Sequence, residues 1–121
     1  MENLSIGTDI EEIKRFENKT LSSDKKFLDK IYTLKELEYC YKTKDYAPHL
    51  CARYCAKEAV VKALFGLNIN GIYYKDIEIL NNERGVPCVK IEQMPDLNVK
   101  LSISHCDEYA TATAIILKNK N

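Results

Sequence analysis

Neither sign of charge dominates this sequence: 18 basic and 18 acidic side chains leave a formal net charge of zero over 121 residues. A chain that grips nucleic acid by its phosphates carries a basic excess, so no nucleic-acid partner is expected. Long apolar runs are also missing. No stretch reaches the length of a bilayer span, and the first ten residues place charges where a signal peptide needs an apolar core. A cytoplasmic location without a membrane partner is the expectation. No CxxC pair occurs among the five cysteines, Cys40, Cys51, Cys55, Cys88 and Cys106. An odd count without that spacing points to reduced cysteines rather than a disulfide framework or a thiolate metal site. The phosphate-binding loops are absent too: there is no GxxxxGK before Ser or Thr, no GxGxxG and no GxSxG elbow. Phosphate chemistry in this chain must therefore use a metal and basic side chains.

Repeats, low-complexity segments and linkers are likewise absent, and 121 residues is the size of one domain. Apolar residues at 45% and charged residues at 30% are ordinary for a globular protein. Leu4, Ile6 and Asp9-Ile10 read as a first strand. Ile13 and Phe16, three apart, predict a short amphipathic helix over 11–17. Thr33 and Glu36 have capping-box spacing and predict a helix through Leu37, Cys40 and Tyr41. The longest element is a helix over about 46–65, with Asp45 as its expected cap, Pro48 in its first turn and Gly66 at its C-terminal end. Strands follow over 77–80, 86–91, 99–103 and 109–117. Helices early and antiparallel strands late indicate an α+β fold, with the long helix packed on an antiparallel sheet.

Three residues stand out chemically. Glu58 lies on a helical stripe with Leu50, Tyr54, Val61 and Phe65, where a carboxylate is costly unless it meets a cation or donors. An i,i+4 pair with Lys62, worth about 0.3–0.5 kcal/mol when exposed, explains it equally well. Asp9 ends the first strand on the side of Ser5 and Gly7; it is either a helix N-cap or one half of a hard oxygen site. His105 shares its strand face with Val99, Leu101 and Ile103, as a hydrogen-bonded core residue or as part of a site beside the following turn. His49 has no such context and reads as a surface residue.

Three separated blocks carry a resemblance. Residues 6–15 (IGTDIEEIKR), residues 52–63 (ARYCAKEAVVKA) and residues 101–105 (LSISH) followed by Tyr109-Ala110 resemble the motifs of the holo-acyl-carrier-protein synthase family of 4′-phosphopantetheinyl transferases. Tyr32 to Glu36 and the Gly85-x-Pro87 turn fit as well. Two positions differ from the usual pattern: Tyr32 stands where Phe is more frequent, and Cys106 where a hydroxyl residue is. The resemblance implies transfer of phosphopantetheine from coenzyme A to a serine of apo-acyl carrier protein, with release of adenosine 3′,5′-bisphosphate. It implies magnesium held by Asp9 and Glu58, and a catalytic set of Asp9, Glu58, Lys62 and His105. Lys62, His105 and Arg53 would face the coenzyme A phosphates, with Gly66 to Gly71 along the nucleotide and Gly85 to Pro87 on its adenine side. Lys14 and Arg15, with Lys19, Lys25 and Lys26, would meet the acidic carrier protein. Relatives of double length have two similar halves, so a chain of this size implies a homotrimer with sites between chains. A late strand alternating Tyr, Thr and Ile with alanines is the expected interface. The other readings of the same residues are a non-catalytic coenzyme A-binding module and a metal-dependent phosphohydrolase.

Overall fold

The computed structural model describes residues 3–118. The chain enters as strand β1 (Leu4–Glu12), makes a 3-10 turn at Ile13–Phe16, and continues through helices α1 (Lys25–Ile31), α2 (Leu34–Cys40) and α3 (Ala47–Gly66). A second 3-10 turn at Tyr74–Asp76 leads into β2 (Ile77–Asn81), β3 (Pro87–Ile91), β4 (Asn98–His105) and β5 (Tyr109–Leu117). The first strand and the last pair form one antiparallel sheet in the order β1-β5-β4, and β2 and β3 form a separate hairpin. This is the expected α+β arrangement, with α3 lying across the three-stranded sheet.

Small side chains let helix and sheet approach closely. Cys55, Ala56, Ala59 and Ala63 on α3 are buried with Ala112 and Ala114 on β5. Gly7 is required at the contact: a Cβ there would lie 1.9 Å from the carbonyl oxygen of Ala59. The alanines of β5 are therefore inside, and the strand presents Tyr109, Thr111, Ile115 and Leu117 outward. The alanine face of this strand is thus taken up by α3, and only the Tyr, Thr, Ile and Leu face is open to another surface. Among the described residues no helix is long and apolar enough to cross a membrane.

The capping box of α2 forms as expected: Glu36 N–H donates to Thr33 Oγ1 at 3.3 Å, and Thr33 N–H donates to Glu36 Oε1 at 2.8 Å. Tyr32 is buried, and its hydroxyl donates to the Leu50 carbonyl at 2.6 Å. A buried phenol needs such a partner, and phenylalanine at this position would need none. Several boundaries differ from expectation. β1 runs on through Glu12, because β5 supplies a partner for every residue up to the Glu12–Tyr109 pair; the expected helix over 11–17 shrinks to the 3-10 turn. α3 begins behind Tyr46 without a side-chain cap from Asp45. Gly66 is the last residue of α3 rather than its cap, and its missing Cβ makes room for Ser5, whose Oγ would lie 2.2 Å away.

Candidate active site

β1 inverts the usual rule for a strand on a core. Successive side chains alternate between faces, and here Ser5, Gly7, Asp9 and Glu11 point inward while Leu4, Ile6 and Ile10 face out at 56%, 66% and 64% exposure. The strand thus delivers two carboxylates to the surface of α3. One oxygen from each of Asp9, Glu11 and Glu58 lies within 4.8 Å of the others. Asp9 is no helix cap, since the strand continues past it. Glu58 does not face an apolar core either: its stripe runs from buried Leu50 to Phe65, which is 59% exposed.

Three carboxylates this close repel one another. Burial, together with Asp9 and Glu58, raises the Glu11 carboxyl from its usual 4.5 to about 7, with Arg15 acting in the opposite direction. Lys62 supplies part of the compensation. Its Nζ lies 3.2 Å from Asp9 Oδ1 and donates to the Thr8 carbonyl at 2.9 Å. Lys62 is therefore bound across to β1, where the i,i+4 reading had it paired with Glu58. The second oxygen of Asp9 is buried and has no hydrogen-bond partner among the described residues. Glu58 Oε1 accepts from the Tyr74 hydroxyl. Beside Glu58 a cavity of about 400 Å³ opens, lined by Val61, Lys62, Phe65 and residues 71–74.

An orphaned buried carboxylate oxygen and a raised neighbouring carboxyl are the marks of a site with too much negative charge for its own cations. Oxygen-only donors of this kind fit a hard divalent cation, which magnesium exemplifies. Arg15, expected to meet a partner, also sits at the rim. It pairs with Glu11 at 2.5 Å and its guanidinium lies 5.5 Å from the Tyr54 ring centre. Lys14 beside it is exposed. Lys19 and Lys25 are engaged locally, with Asp24 and Asp29 respectively.

The remaining candidates lie elsewhere. Arg53 is buried at 4% exposure, stacked 4.2 Å over Tyr39, and two of its nitrogens, Nε and Nη2, have no partner among the described residues. His49, read as a surface residue, is half-buried against Tyr39, and burial with Arg53 and His105 nearby lowers its pKa. His105 itself is exposed at the end of β4. Arg53 precedes Lys62 by nine residues, two and a half helical turns. The two point to opposite sides of α3, roughly 14 Å apart along its axis. One chain therefore brings Asp9, Glu58 and Lys62 together but sets Arg53 and His105 apart from them. Gly66 closes α3, and Pro87 opens β3 in the hairpin rather than in the sheet that carries Asp9.

Sequence reasoning missed Glu11, Tyr74, Lys57 and Glu36 as parts of this region. Glu11 had a usable signal, since it lies two residues beyond Asp9 and strand alternation puts both on one face. The helix expected over 11–17 hid it.

The fold and these motifs have known counterparts. Residues 5–114 match the 4′-phosphopantetheinyl transferase superfamily, and the chain belongs to that family. Within it, the chain is similar to proteins named holo-[acyl-carrier-protein] synthase. One from Protochlamydia amoebophila is 42% identical over 93% of this chain and 96% of its own length. One from Chlamydia pneumoniae is 41% identical over 97% and 99%. Among solved structures, a Bacillus anthracis holo-(acyl-carrier-protein) synthase in complex with CoA (3′,5′-ADP) superposes with a TM-score of 0.78 at 31% identity, covering 95% of this chain and 96% of that one. A Helicobacter pylori synthase in complex with coenzyme A gives 0.74 at 27% identity, over 92% and 98%.

Proposed function

We propose that this chain, as one transferase domain, moves the 4′-phosphopantetheine group of coenzyme A to a serine of apo-acyl carrier protein. Adenosine 3′,5′-bisphosphate is the leaving group, and the product is the active carrier used in fatty acid biosynthesis. The observation that carries this reading is the three-carboxylate cluster beside an open cavity, in a chain whose relatives of the same length are synthases of this kind. Two related structures contain coenzyme A, which supports it as the substrate.

The reaction forms a bond from the serine oxygen to the β-phosphorus of coenzyme A and breaks the bond between that phosphorus and the bridging oxygen. Phosphoryl transfer of this type needs positioning and charge neutralisation more than covalent help from the protein. Asp9 and Glu58, with Glu11 as a third donor, are the residues that would hold magnesium. When bound, the ion neutralises charge on the pyrophosphate. Lys62 holds further phosphate charge from the cavity wall. Glu58, directly or through a water, receives the serine proton. Lys14 and Arg15, at the rim next to Glu11, are the cations offered to an acidic carrier.

Arg53, His49 and His105 suit the other end of coenzyme A. A buried guanidinium with two free nitrogens is expensive unless an anion meets it, and a phosphate is the anion this substrate provides. Lys62 and Arg53 face opposite sides of α3, so one coenzyme A meets both where two chains adjoin. The outward row of Leu4, Ile6, Ile10, Ile115 and Leu117 supports a homotrimer, because apolar strand faces of this extent are covered by another surface. Gly66 to Gly71 and Gly85 to Pro87 would follow the nucleotide.

Intact-mass measurement of apo-acyl carrier protein incubated with this chain, coenzyme A and magnesium tests the reading. The expected result is a gain of one phosphopantetheine, abolished by a chelator and by Asp9→Ala. Coenzyme A binding without product from several carriers would replace it with the binding-module reading. Bisphosphate release without carrier modification would replace it with the phosphohydrolase reading.

A further inference from the structure

Two consecutive residues of α3, Lys57 and Glu58, hold opposite ends of the same tyrosine. Lys57 is fully buried. Its ammonium donates to the Tyr74 carbonyl at 2.8 Å and the Ile77 carbonyl at 2.5 Å, and pairs with Glu36 Oε1 at 2.8 Å. Three protons thus meet three acceptors. Glu36 is equally buried, and its carboxylate also accepts from the backbone N–H of Thr33 and of Ile79, each at 2.8 Å. One step along the helix, Glu58 accepts the Tyr74 hydroxyl. The Tyr74 ring between these anchors lies 5.7 Å from that of Tyr54.

A buried ion pair is weak evidence for stability, because apolar residues of similar volume often serve as well or better. What this pair does provide is a fixed path for the backbone from Tyr74 to Ile79. Burial and the Glu58 carboxylate both push the Tyr74 phenol above its usual pKa, so it remains a donor. The hydroxyl bond thus holds one oxygen of the carboxylate that clusters with Asp9 and Glu11.

We propose that Tyr74 is a positioning residue for Glu58, fixed at its carbonyl by the buried Lys57–Glu36 pair and joined to the carboxylate through its hydroxyl. The inference rests on the transferase reading above and adds the device that aims its central carboxylate. Tyr74 lines the cavity with its ring, but its hydroxyl is engaged by Glu58, so loss of that hydroxyl acts on turnover and on cation affinity and leaves coenzyme A binding alone.

Tyr74→Phe removes the hydroxyl and keeps the ring. It is expected to lower kcat about tenfold, the scale of one hydrogen bond to a charged group, with KM for coenzyme A within about twofold. Magnesium affinity, titrated calorimetrically on the same protein, falls several-fold while the melting temperature stays unchanged. A second variant, Lys57→Met with Glu36→Gln, removes the charges together. It is expected to show the same loss of kcat, and adding Tyr74→Phe to it should cost nothing further, because coupled residues are not additive. Wild-type kcat and magnesium affinity in Tyr74→Phe would overturn the inference even if the second variant failed to fold. Absence of transfer by the unaltered chain would overturn the reading beneath it instead.

Discussion

The two ends of α3 carry opposite electrical problems. Toward its C-terminal half, Glu58 meets Asp9 and Glu11, and one buried carboxylate oxygen has no partner among the described residues. Toward its N-terminal half, Arg53 lies buried with two unpaired nitrogens beside His49 and His105. The first end holds more negative charge than Lys62 and Arg15 offset, and the second holds a buried cation that no anion meets among the described residues. A substrate with phosphates at separate points along its length, taken with a divalent ion, would supply what each end is missing. Local folding stability gives no reason for either arrangement, since buried uncompensated charge opposes folding.

The strongest way to break this comparison is to remove the negative end. Asp9→Ala or Glu58→Gln should reduce turnover by about 10²- to 10³-fold, the range seen when one preorganised electrostatic contact to a transition state is deleted. Chelation of the wild-type protein should abolish carrier modification altogether. Near-normal rates in Glu58→Gln would remove its role as base and as ligand together.

The next test asks whether the two ends work in one chain or across two. Asp9→Ala and His105→Ala should each be nearly inactive alone, while the pair refolded together should regain activity. Random assortment in a ring of three leaves about a quarter of shared sites intact. No recovery, with both variants folded and mixed oligomers formed, would confine the site to one chain. Light scattering bears on the same point: Ile6→Glu, on the exposed face of β1, should shift the mass from trimer to monomer. Wild-type protein that is fully active as a monomer would contradict the shared site.

Arg53→Met separates the ends by sign. Removing an unpaired buried cation should leave the melting temperature unchanged or raise it, because no partner is orphaned by the change. KM for coenzyme A should rise about tenfold with kcat nearly constant, the behaviour of a group that binds ground state and transition state alike. A fall in stability without a change in KM would make Arg53 a packing residue on Tyr39.

How much of this was legible before the structure depends on the range of the interaction involved. The capping box at Thr33 and Glu36 and the length of α3 follow from local pattern, and both are present. The alternation from Tyr109 to Leu117 revealed a strand but not which face is inside, because alanine suits a close-packed helix contact as well as an exposed surface. Ile13 and Phe16 have helical spacing and so point to a helix over 11–17, and only pairing with β5, about a hundred residues away, extends the strand to Glu12. Glu11 shares a face with Asp9 only once that pairing is known. The meeting of Asp9 with Glu58 was available only through resemblance, since nothing in a separation of 49 residues indicates contact. Gly7 and the Lys57–Glu36 pair gave no pattern at all. Their reasons are a backbone at 1.9 Å from a missing Cβ and a charge enclosed by three segments.

Glu11 gives the finest probe of the negative end. It is crowded by Asp9 and Glu58, and Arg15 at the rim offsets only part of that charge. Glu11→Gln keeps the shape and removes one of three repelling charges. Above neutral pH and with a chelator present, it should raise the melting temperature by about 4 °C, the shift that roughly 1 kcal/mol produces in a domain of this size. Added magnesium stabilises the wild type by mass action on the folded state, so the same substitution should shrink that increment. The two effects have opposite signs, which a purely structural carboxylate would not produce. A variant less stable than wild type in chelator, yet stabilised equally by magnesium, would show that Glu11 serves Arg15 and the surface, leaving the negative end with two carboxylates.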